Sequence, residues 1–320
     1  MDQPWLWITF NLAVVVLLAL DLFVFHRVAH EVRKREAAIW SVIWIALALV
    51  FAAGVYVFSG RELALEFLAG YIIEKSLSID NIFVFVLIFG FFQVPPRYQH
   101  RVLFWGILGA LVMRGAMIAA GAYLLAHFHW VLYLFGAFLV ITGVRIAAQK
   151  EHAVHPESNP VLRVLRRAIP VTSTYHGQAF FVRHPQGAGG RVAATPLFVV
   201  LALVETTDLV FALDSIPAVF AVTREPFIVY TSNVFAILGL RALYFVVAGL
   251  IRQLRYLQVG LAIVLIFVGV KMLAADLYDM PIGLSLATIV VVLGASALAS
   301  WIWPKVEEEP ALNGAVAADD

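Results

Sequence analysis

The sequence contains no cysteine, and charged residues make up only 13% of its 320 residues. The absence of cysteine excludes a disulfide, a thiolate nucleophile and a zinc or iron–sulfur site with cysteine ligands. An average soluble domain has about 25% charged residues, so an ordinary soluble domain is excluded as well. The net charge of +1 is close to zero, which argues against nucleic acid as a partner.

Hydrophobic residues, by contrast, make up 62% of the sequence and gather in long runs. A helix needs about 20 apolar residues to cross a bilayer, and backbone groups in lipid must be hydrogen-bonded within their own segment. The sequence therefore predicts an all-α polytopic membrane protein with about nine transmembrane helices in contact with the lipid bilayer. The predicted spans, numbered 1 to 9 in chain order, are 5–25, 37–59, 63–92, 102–126, 130–148, 195–222, 227–250, 256–275 and 282–303.

The basic residues predict how the chain is oriented in the membrane. Loops on the cytoplasmic side of a membrane protein retain Lys and Arg. Alternate loops hold 16 of the 22 basic residues, whereas the opposite set holds only Arg61 and Arg224. This asymmetry predicts an N-terminus outside the cell and a C-terminus in the cytoplasm.

Polar landmarks recur in two groups of three spans. Glu74 precedes Asp80 by six positions in span 3, and the same spacing separates Asp208 from Asp214 in span 6. The other matching landmarks are Arg114 and Arg241, each after an Ile-Leu-Gly, and the strings Gly143-Val144-Arg145 and Gly269-Val270-Lys271. A unit of three spans enters the membrane from opposite sides in its two copies. Spans 3–5 and 6–8 therefore predict an inverted-topology repeat, which is typical of secondary transporters.

The spans and the repeat together predict the domain organisation. The long polar connection between the repeats is interpreted as a cytoplasmic loop, a possible docking surface for partner proteins. The predicted units are two N-terminal helices in 1–60, the first repeat in 61–148, the cytoplasmic loop in 149–194, the second repeat in 195–275, the last helix in 276–304 and a disordered cytoplasmic tail in 305–320.

Five carboxylates lie well inside spans 3 and 6, away from the span ends, where lipid makes a charge expensive. They are Glu74, Asp80, Glu205, Asp208 and Asp214. An Asp at the bilayer centre costs about 2.5–3.5 kcal/mol, so protonation, pairing with bases or a bound cation must offset these charges. The intramembrane bases nearby are Lys75, Arg114 and Arg241. Because the acids outnumber these bases by the charge of one divalent ion, the count favours a bound cation in part.

The predicted ligands are all oxygen atoms, which suits Mg²⁺, Ca²⁺ or Mn²⁺ better than Zn²⁺ or Cu⁺. Glu205 and Asp208 share a helix face, but Asp214 lies about 240° further round an unbroken helix. Convergence therefore requires a helix break, and Pro217 is the predicted break because it leaves the carbonyl of Leu213 without its donor. The predicted supporting residues are Ser78, Asn81, Ser215 and Asn233, with Lys75, Arg114 and Arg241. The alternative is that the acids form structural ion pairs with the bases.

Several strings resemble the TerC/Alx family. They are EKSLSIDNIFVF at 74–85, ETTDLVFALDSIPAVFAVT at 205–223, TSNVFAILGLRALYF at 231–245 and YHGQAFFVR at 175–183. The resemblance implies an integral protein of the bacterial plasma membrane that is linked to Mn²⁺ efflux and to metal or tellurium resistance. It also implies that the five acids are the ion-handling positions, and it selects Mn²⁺ among the hard ions.

The leading hypothesis is a secondary transporter that exports Mn²⁺ from the cytoplasm, in exchange for protons at the same carboxylates. Such a protein is not an enzyme and needs no catalytic cofactor. The alternative is a membrane assembly or metal-delivery scaffold that binds partner proteins through residues 149–194 and conducts no ions. An intramembrane aspartyl protease is disfavoured because the sequence contains no Gly-x-Gly-Asp motif.

Overall fold

The structure is a computed structural model. The residues that it describes are 3–20, 34–148, 162–163, 165, 167, 169–183, 192–248, 256–278 and 280–303. Most of the predicted cytoplasmic loop in 149–194 and the predicted tail in 305–320 lie outside these residues.

Helices dominate the part of the chain that is described. They are α1 (Pro4–Leu20), α2 (Lys34–Ser59), α3 (Arg61–Phe91), α4 (Pro96–His127), α5 (Trp130–Ala148), α6 (Pro196–Phe220), α7 (Pro226–Leu238), α8 (Leu240–Val247), α9 (Leu257–Leu273) and α10 (Ile282–Ile302). Four of them, α1, α4, α6 and α7, begin with a proline, whose missing N–H is not needed in a first turn. A helix lies over each predicted span, except that span 7 is divided between α7 and α8.

Length and apolar composition confirm a polytopic helical membrane protein. Five helices, α2, α4, α5, α6 and α10, are long and apolar enough to cross a membrane, and α7 with α8 gives a sixth if the bent pair is one span. Large apolar side chains cover the outer faces of these helices: Phe58 is 89% exposed and Val112 is 70% exposed. Such surfaces suit contact with lipid tails. That α1, α3 and α9 also cross remains a prediction.

The helices of spans 3 and 6 form the centre of the molecule. Helix α3 packs on α7, α6 packs on α4, and α3 and α6 also pack on each other. The extensive contact between α5 and α9 is made at glycines. A Cβ at Gly136 would lie 3.0 Å from the carbonyl oxygen of Gly269, and one at Gly143 would lie 2.8 Å from that of Ala262. The α5–α9 contact therefore requires residues without side chains.

The helix break is not at Pro217, so the predicted break is wrong. Helix α6 continues through Pro217 to Phe220, and the backbone N–H of Ala221 donates to the Pro217 carbonyl at 3.0 Å. Because Pro217 lies in the last turn, it removes one hydrogen bond without separating two half-helices. The break is in span 7 instead, where α7 and α8 meet at Gly239 with a bend of 43°.

Part of the connection between the repeats has a defined structure that its sequence does not predict. Strands β1 (Phe181–Arg183) and β2 (Val192–Ala194) form an antiparallel pair. The Thr195 hydroxyl donates to the carbonyl of Ala179 at 2.7 Å, and the Tyr175 hydroxyl donates to that of Phe92 at 2.7 Å. Burial raises the pKa of the Tyr175 hydroxyl above its ordinary value. These bonds fasten residues 169–183 to the start of α6 and to the turn after α3.

Candidate functional site

Arg114 of α4 lies between α3 and α6 and binds one acid from each. Its Nε donates to Oδ2 of Asp208 at 3.1 Å, and its Nη2 donates to Oδ1 of Asp208 at 2.9 Å. Its Nη1 forms an ion pair with Oε1 of Glu74. All three residues are buried, with exposed fractions of 0 to 3%. The guanidinium therefore joins two predicted site carboxylates, one from each repeat.

Amide side chains complete the hydrogen bonding of the two acids. The Asn233 amide on α7 donates from Nδ2 to Oε2 of Glu74 at 3.0 Å, and its Oδ1 accepts from Nη1 of Arg114 at 3.1 Å. The Asn81 amide on α3 donates to Oδ1 of Asp208 at 3.4 Å. Every carboxylate oxygen of Glu74 and Asp208 therefore accepts at least one hydrogen bond, as buried charges require.

The two predicted serines have different partners. Ser215, one of the buried residues of α6, accepts a hydrogen bond from Nη1 of Arg114 at 3.3 Å. Ser78 donates instead to the carbonyl of Glu74, one turn earlier on its own helix, at 2.7 Å. Ser215 thus belongs to the arginine–carboxylate cluster, whereas Ser78 donates to the backbone of α3.

The cluster lies near the middle of the helices that form it. Asp208 is at the midpoint of α6, and Glu74 is near the middle of α3. Glycines bring the helices close together: a Cβ at Gly70 of α3 would lie 2.8 Å from Oγ of Ser232 on α7. The cluster is therefore deep within the helix bundle, the usual place for a transporter site.

Glu205 lies one turn before Asp208 on α6 and next to the cluster. Its Oε2 is buried and has no hydrogen-bond partner among the described residues. Its carboxylate packs onto Gly109 of α4, where an added Cβ would collide with it, and its charge repels that of Asp208. Glu205 is thus a half-buried acid beside the cluster with no ion pair among the described residues.

Lys75 holds the end of the broken helix. Its Nζ donates to the carbonyl of Ala236 at 3.2 Å, in the last turn of α7. A Cβ at Gly239 would lie 2.5 Å from this Nζ. The two Ile-Leu-Gly motifs therefore have a common role that the sequence alone does not reveal. The glycine of each motif makes room for a charged side chain from the other repeat, Glu205 at Gly109 and Lys75 at Gly239.

The other two predicted acids do not join the cluster. Asp214 accepts a hydrogen bond from the Thr142 hydroxyl on α5 at 3.1 Å, which places it against a different helix. Within the part of the chain that is described, Asp80 forms no hydrogen bond or ion pair with the residues that bind the other predicted acids. In that same part, no three His, Cys, Asp or Glu side chains are grouped closely enough to hold a metal ion. The structure thus brings together Glu74 and Asp208, with Glu205 beside them.

Arg241 of α8 lies beside the cluster. It is buried, and with Asp208 it provides the charged lining of a small cavity of about 10 Å³. That volume is close to what one water molecule requires. The remaining lining residues are apolar, so the cavity has its polar wall at the cluster.

Known proteins resemble most of the chain. The model of the integral membrane protein TerC family matches residues 59–308. A membrane protein of Myxococcus xanthus is 54% identical over 300 residues, covering 94% of this chain and 93% of the relative. A protein of Salmonella typhi named putative membrane-bound redox modulator Alx is 47% identical over 299 residues, 91% of this chain and 92% of the relative. The protein of that name in Escherichia coli K12 is 46% identical over the same shares. No solved structure matches. The chain belongs to the TerC family of integral membrane proteins.

Proposed function

We propose that this protein is a secondary transporter that exports Mn²⁺, or a similar hard divalent cation, from the cytoplasm in exchange for protons. One observation carries the proposal: buried carboxylates from two corresponding helices, Glu74 and Asp208, meet deep in the bundle. Glu205 adds a third carboxylate beside them. Ionisable residues inside a membrane are expensive and are normally functional. Carboxylate and amide oxygens are ligands that hard divalent cations prefer.

The helix packing supports the predicted inverted repeat. Exchanging span 3 with 6 and span 4 with 7 turns the α3–α7 contact into the α6–α4 contact, and both are present. The α5–α9 contact has the same property. An offset of 126 residues carries Gly136 to Ala262 and Gly143 to Gly269, so the Gly136–Gly269 contact becomes the Gly143–Ala262 contact. A two-fold relation between the repeats would produce this pattern, and it is common in secondary transporters.

Proton exchange is proposed because carboxylates are the metal ligands. Protonation of Glu74, Asp208 or Glu205 would remove the negative charge that attracts the cation and would release it. Deprotonation on the cytoplasmic side would restore the site. The same groups can therefore bind either protons or a divalent ion, which couples the two flows.

The name of the enterobacterial relatives suggests a redox role, and the composition limits how this chain could have one. With no cysteine, the chain has no thiol to oxidise or to exchange with a disulfide. A redox effect would have to arise indirectly, for example through the cellular level of a redox-active ion such as Mn²⁺. Ion export is therefore compatible with that name, whereas the composition excludes thiol chemistry by this chain.

The test is Mn²⁺ flux in liposomes that contain only the purified protein and a pH reporter. We expect Mn²⁺ movement with opposite proton movement, and about a tenfold or larger loss in Asp208→Asn, because it removes a charge-assisted ligand. The matched control is Asp276→Asn, since Asp276 is exposed beside His129 at the helix ends. No flux in the unmodified protein would reject transport and favour the scaffold hypothesis. Full flux in Asp208→Asn would reject the site.

A further inference from the structure

The Arg114 guanidinium occupies the place that a transported cation would need. It touches both acids, with Nε and Nη2 on Asp208 and Nη1 on Glu74. A small divalent cation binds carboxylate oxygens at roughly 2.0–2.6 Å. An ion at that distance from both carboxylates would overlap the guanidinium. Arg114 and a metal ion between these acids therefore exclude each other.

We propose that Arg114 is a tethered substitute for the transported cation, which neutralises the site when no ion is bound. This inference rests on the proposed transport function and adds how the empty site is kept neutral. Without Arg114 or a metal, Glu74 and Asp208 would place two negative charges side by side in the interior of the bundle. An empty carrier in that state would be costly to reorient. With Arg114 in place, the carrier that returns with protons needs no second metal ion on these two acids.

Glu205 offers Arg114 a second place to bind when an ion arrives. It lies one turn from Asp208, and its buried Oε2 has no hydrogen-bond partner among the described residues. It also packs on α4 at Gly109, on the helix that carries Arg114. When a cation takes Glu74 and Asp208, the guanidinium moves to Glu205. The buried positive charge then remains paired in both states.

A transporter with a tethered substitute cation has a characteristic behaviour when the substitute is removed. The Arg114→Gln variant still binds Mn²⁺ on both sides and carries it across, but its empty form does not return. Exchange of internal Mn²⁺ for external radioactive ⁵⁴Mn²⁺ needs no empty return, whereas net transport does. Loss of the competing guanidinium also strengthens equilibrium Mn²⁺ binding. A purely structural arginine would predict weaker binding and loss of both transport modes.

The experiment measures net Mn²⁺ transport, ⁵⁴Mn²⁺ exchange and Mn²⁺ binding in liposomes and in detergent. We expect Arg114→Gln to lose net transport about tenfold or more, to retain exchange within about twofold, and to bind Mn²⁺ about tenfold more tightly. The Arg97→Gln variant is the matched control, because Arg97 is exposed on the same helix. It is expected to match the unmodified protein in all three measurements.

Each other outcome has a definite meaning. If Arg114→Gln elutes as a single species on size exclusion but loses exchange, keeps net transport or binds Mn²⁺ more weakly, the tethered-cation proposal is overturned and the transport proposal stands. If the unmodified protein moves no Mn²⁺ in either mode, the transport proposal itself fails. If Arg114→Gln does not fold, Arg114→Lys replaces it. Lysine keeps the charge but cannot bridge both acids, so net transport should fall more than exchange, and equal losses would overturn the proposal.

Discussion

The helices that carry the two corresponding arginines differ in shape. Helix α4 runs unbroken over 32 residues from Pro96 to His127, whereas its counterpart is divided at Gly239 into α7 and α8. Arg114 on the straight helix binds acids from both repeats, while Arg241 follows directly after the bend and lines the cavity beside Asp208. Matching sequences thus adopt two shapes in one molecule.

Under the proposed transport function, this difference indicates which element changes shape. In inverted-repeat transporters, alternating access is largely the movement of one repeat or bundle against the other around a fixed site. A straight α4 and a bent α7–α8 would then be two shapes of one element, and the opposite state would exchange them. The following predictions test which residues keep the two helices different.

The largest effect is expected when Arg114 loses an acid. Glu74→Leu leaves Nη1 of Arg114 and Nδ2 of Asn233 without their carboxylate acceptors. Removing one partner of a buried ion pair costs about 3–5 kcal/mol, so the thermal unfolding midpoint in detergent should fall strongly. Glu62→Leu, an exposed site in the first turn of the same helix, is the control. Equal midpoints for the two variants would contradict a buried, stabilising pair.

An intermediate effect is expected at the two Ile-Leu-Gly motifs. Alanine at Gly109 would collide with the Glu205 carboxylate, and alanine at Gly239 would meet Lys75 Nζ at 2.5 Å. We expect each to lower stability by about 1–3 kcal/mol, the usual cost of overpacking. Alanine at Gly294 of α10 meets no atom within 4 Å and should be neutral or slightly stabilising. If all three alanines behave alike, the motif glycines do not accommodate these charges.

The smallest effect is expected at Pro217. Because α6 is continuous there, Pro217→Ala restores a single hydrogen bond in the last turn and should leave Mn²⁺ flux within about twofold of the unmodified protein. Gly239→Ala, at the observed bend, should reduce the same flux more. A loss of flux in Pro217→Ala alone would return the functional break to α6 and remove the contrast between α4 and α7–α8.

The sequence predicted the helices and part of the site because both depend on local signals. Long apolar runs located the long helices, and the cost of charge in lipid pointed to five acids, two of which, Glu74 and Asp208, meet in the structure. The pairing was not predictable, since three bases competed for five acids and spacing does not determine which side chains meet. In the structure, Arg114 is the base that forms ion pairs with two of the acids, Glu74 and Asp208.

The errors have equally specific causes. Proline is the usual signal of a helix break, but Pro217 is too close to the helix end to cause one. The observed break is at Gly239, which the sequence does not mark, because glycines are common in membrane helices. The strands of the β1–β2 pair are three residues long, too short for an alternating pattern. Asp214 is held by Thr142, a contact that no pattern within α6 reveals.

In the proposed mechanism, a divalent cation and the Arg114 guanidinium occupy the space between Glu74 and Asp208 in turn. The most direct measurement is an experimental structure with Mn²⁺ bound, with anomalous scattering recorded at the manganese edge. The proposed mechanism predicts an anomalous peak between α3 and α6, within bonding distance of both carboxylates, and an Arg114 side chain displaced toward Glu205. A peak elsewhere, or Arg114 still bound to both acids in the Mn²⁺-loaded protein, would contradict it.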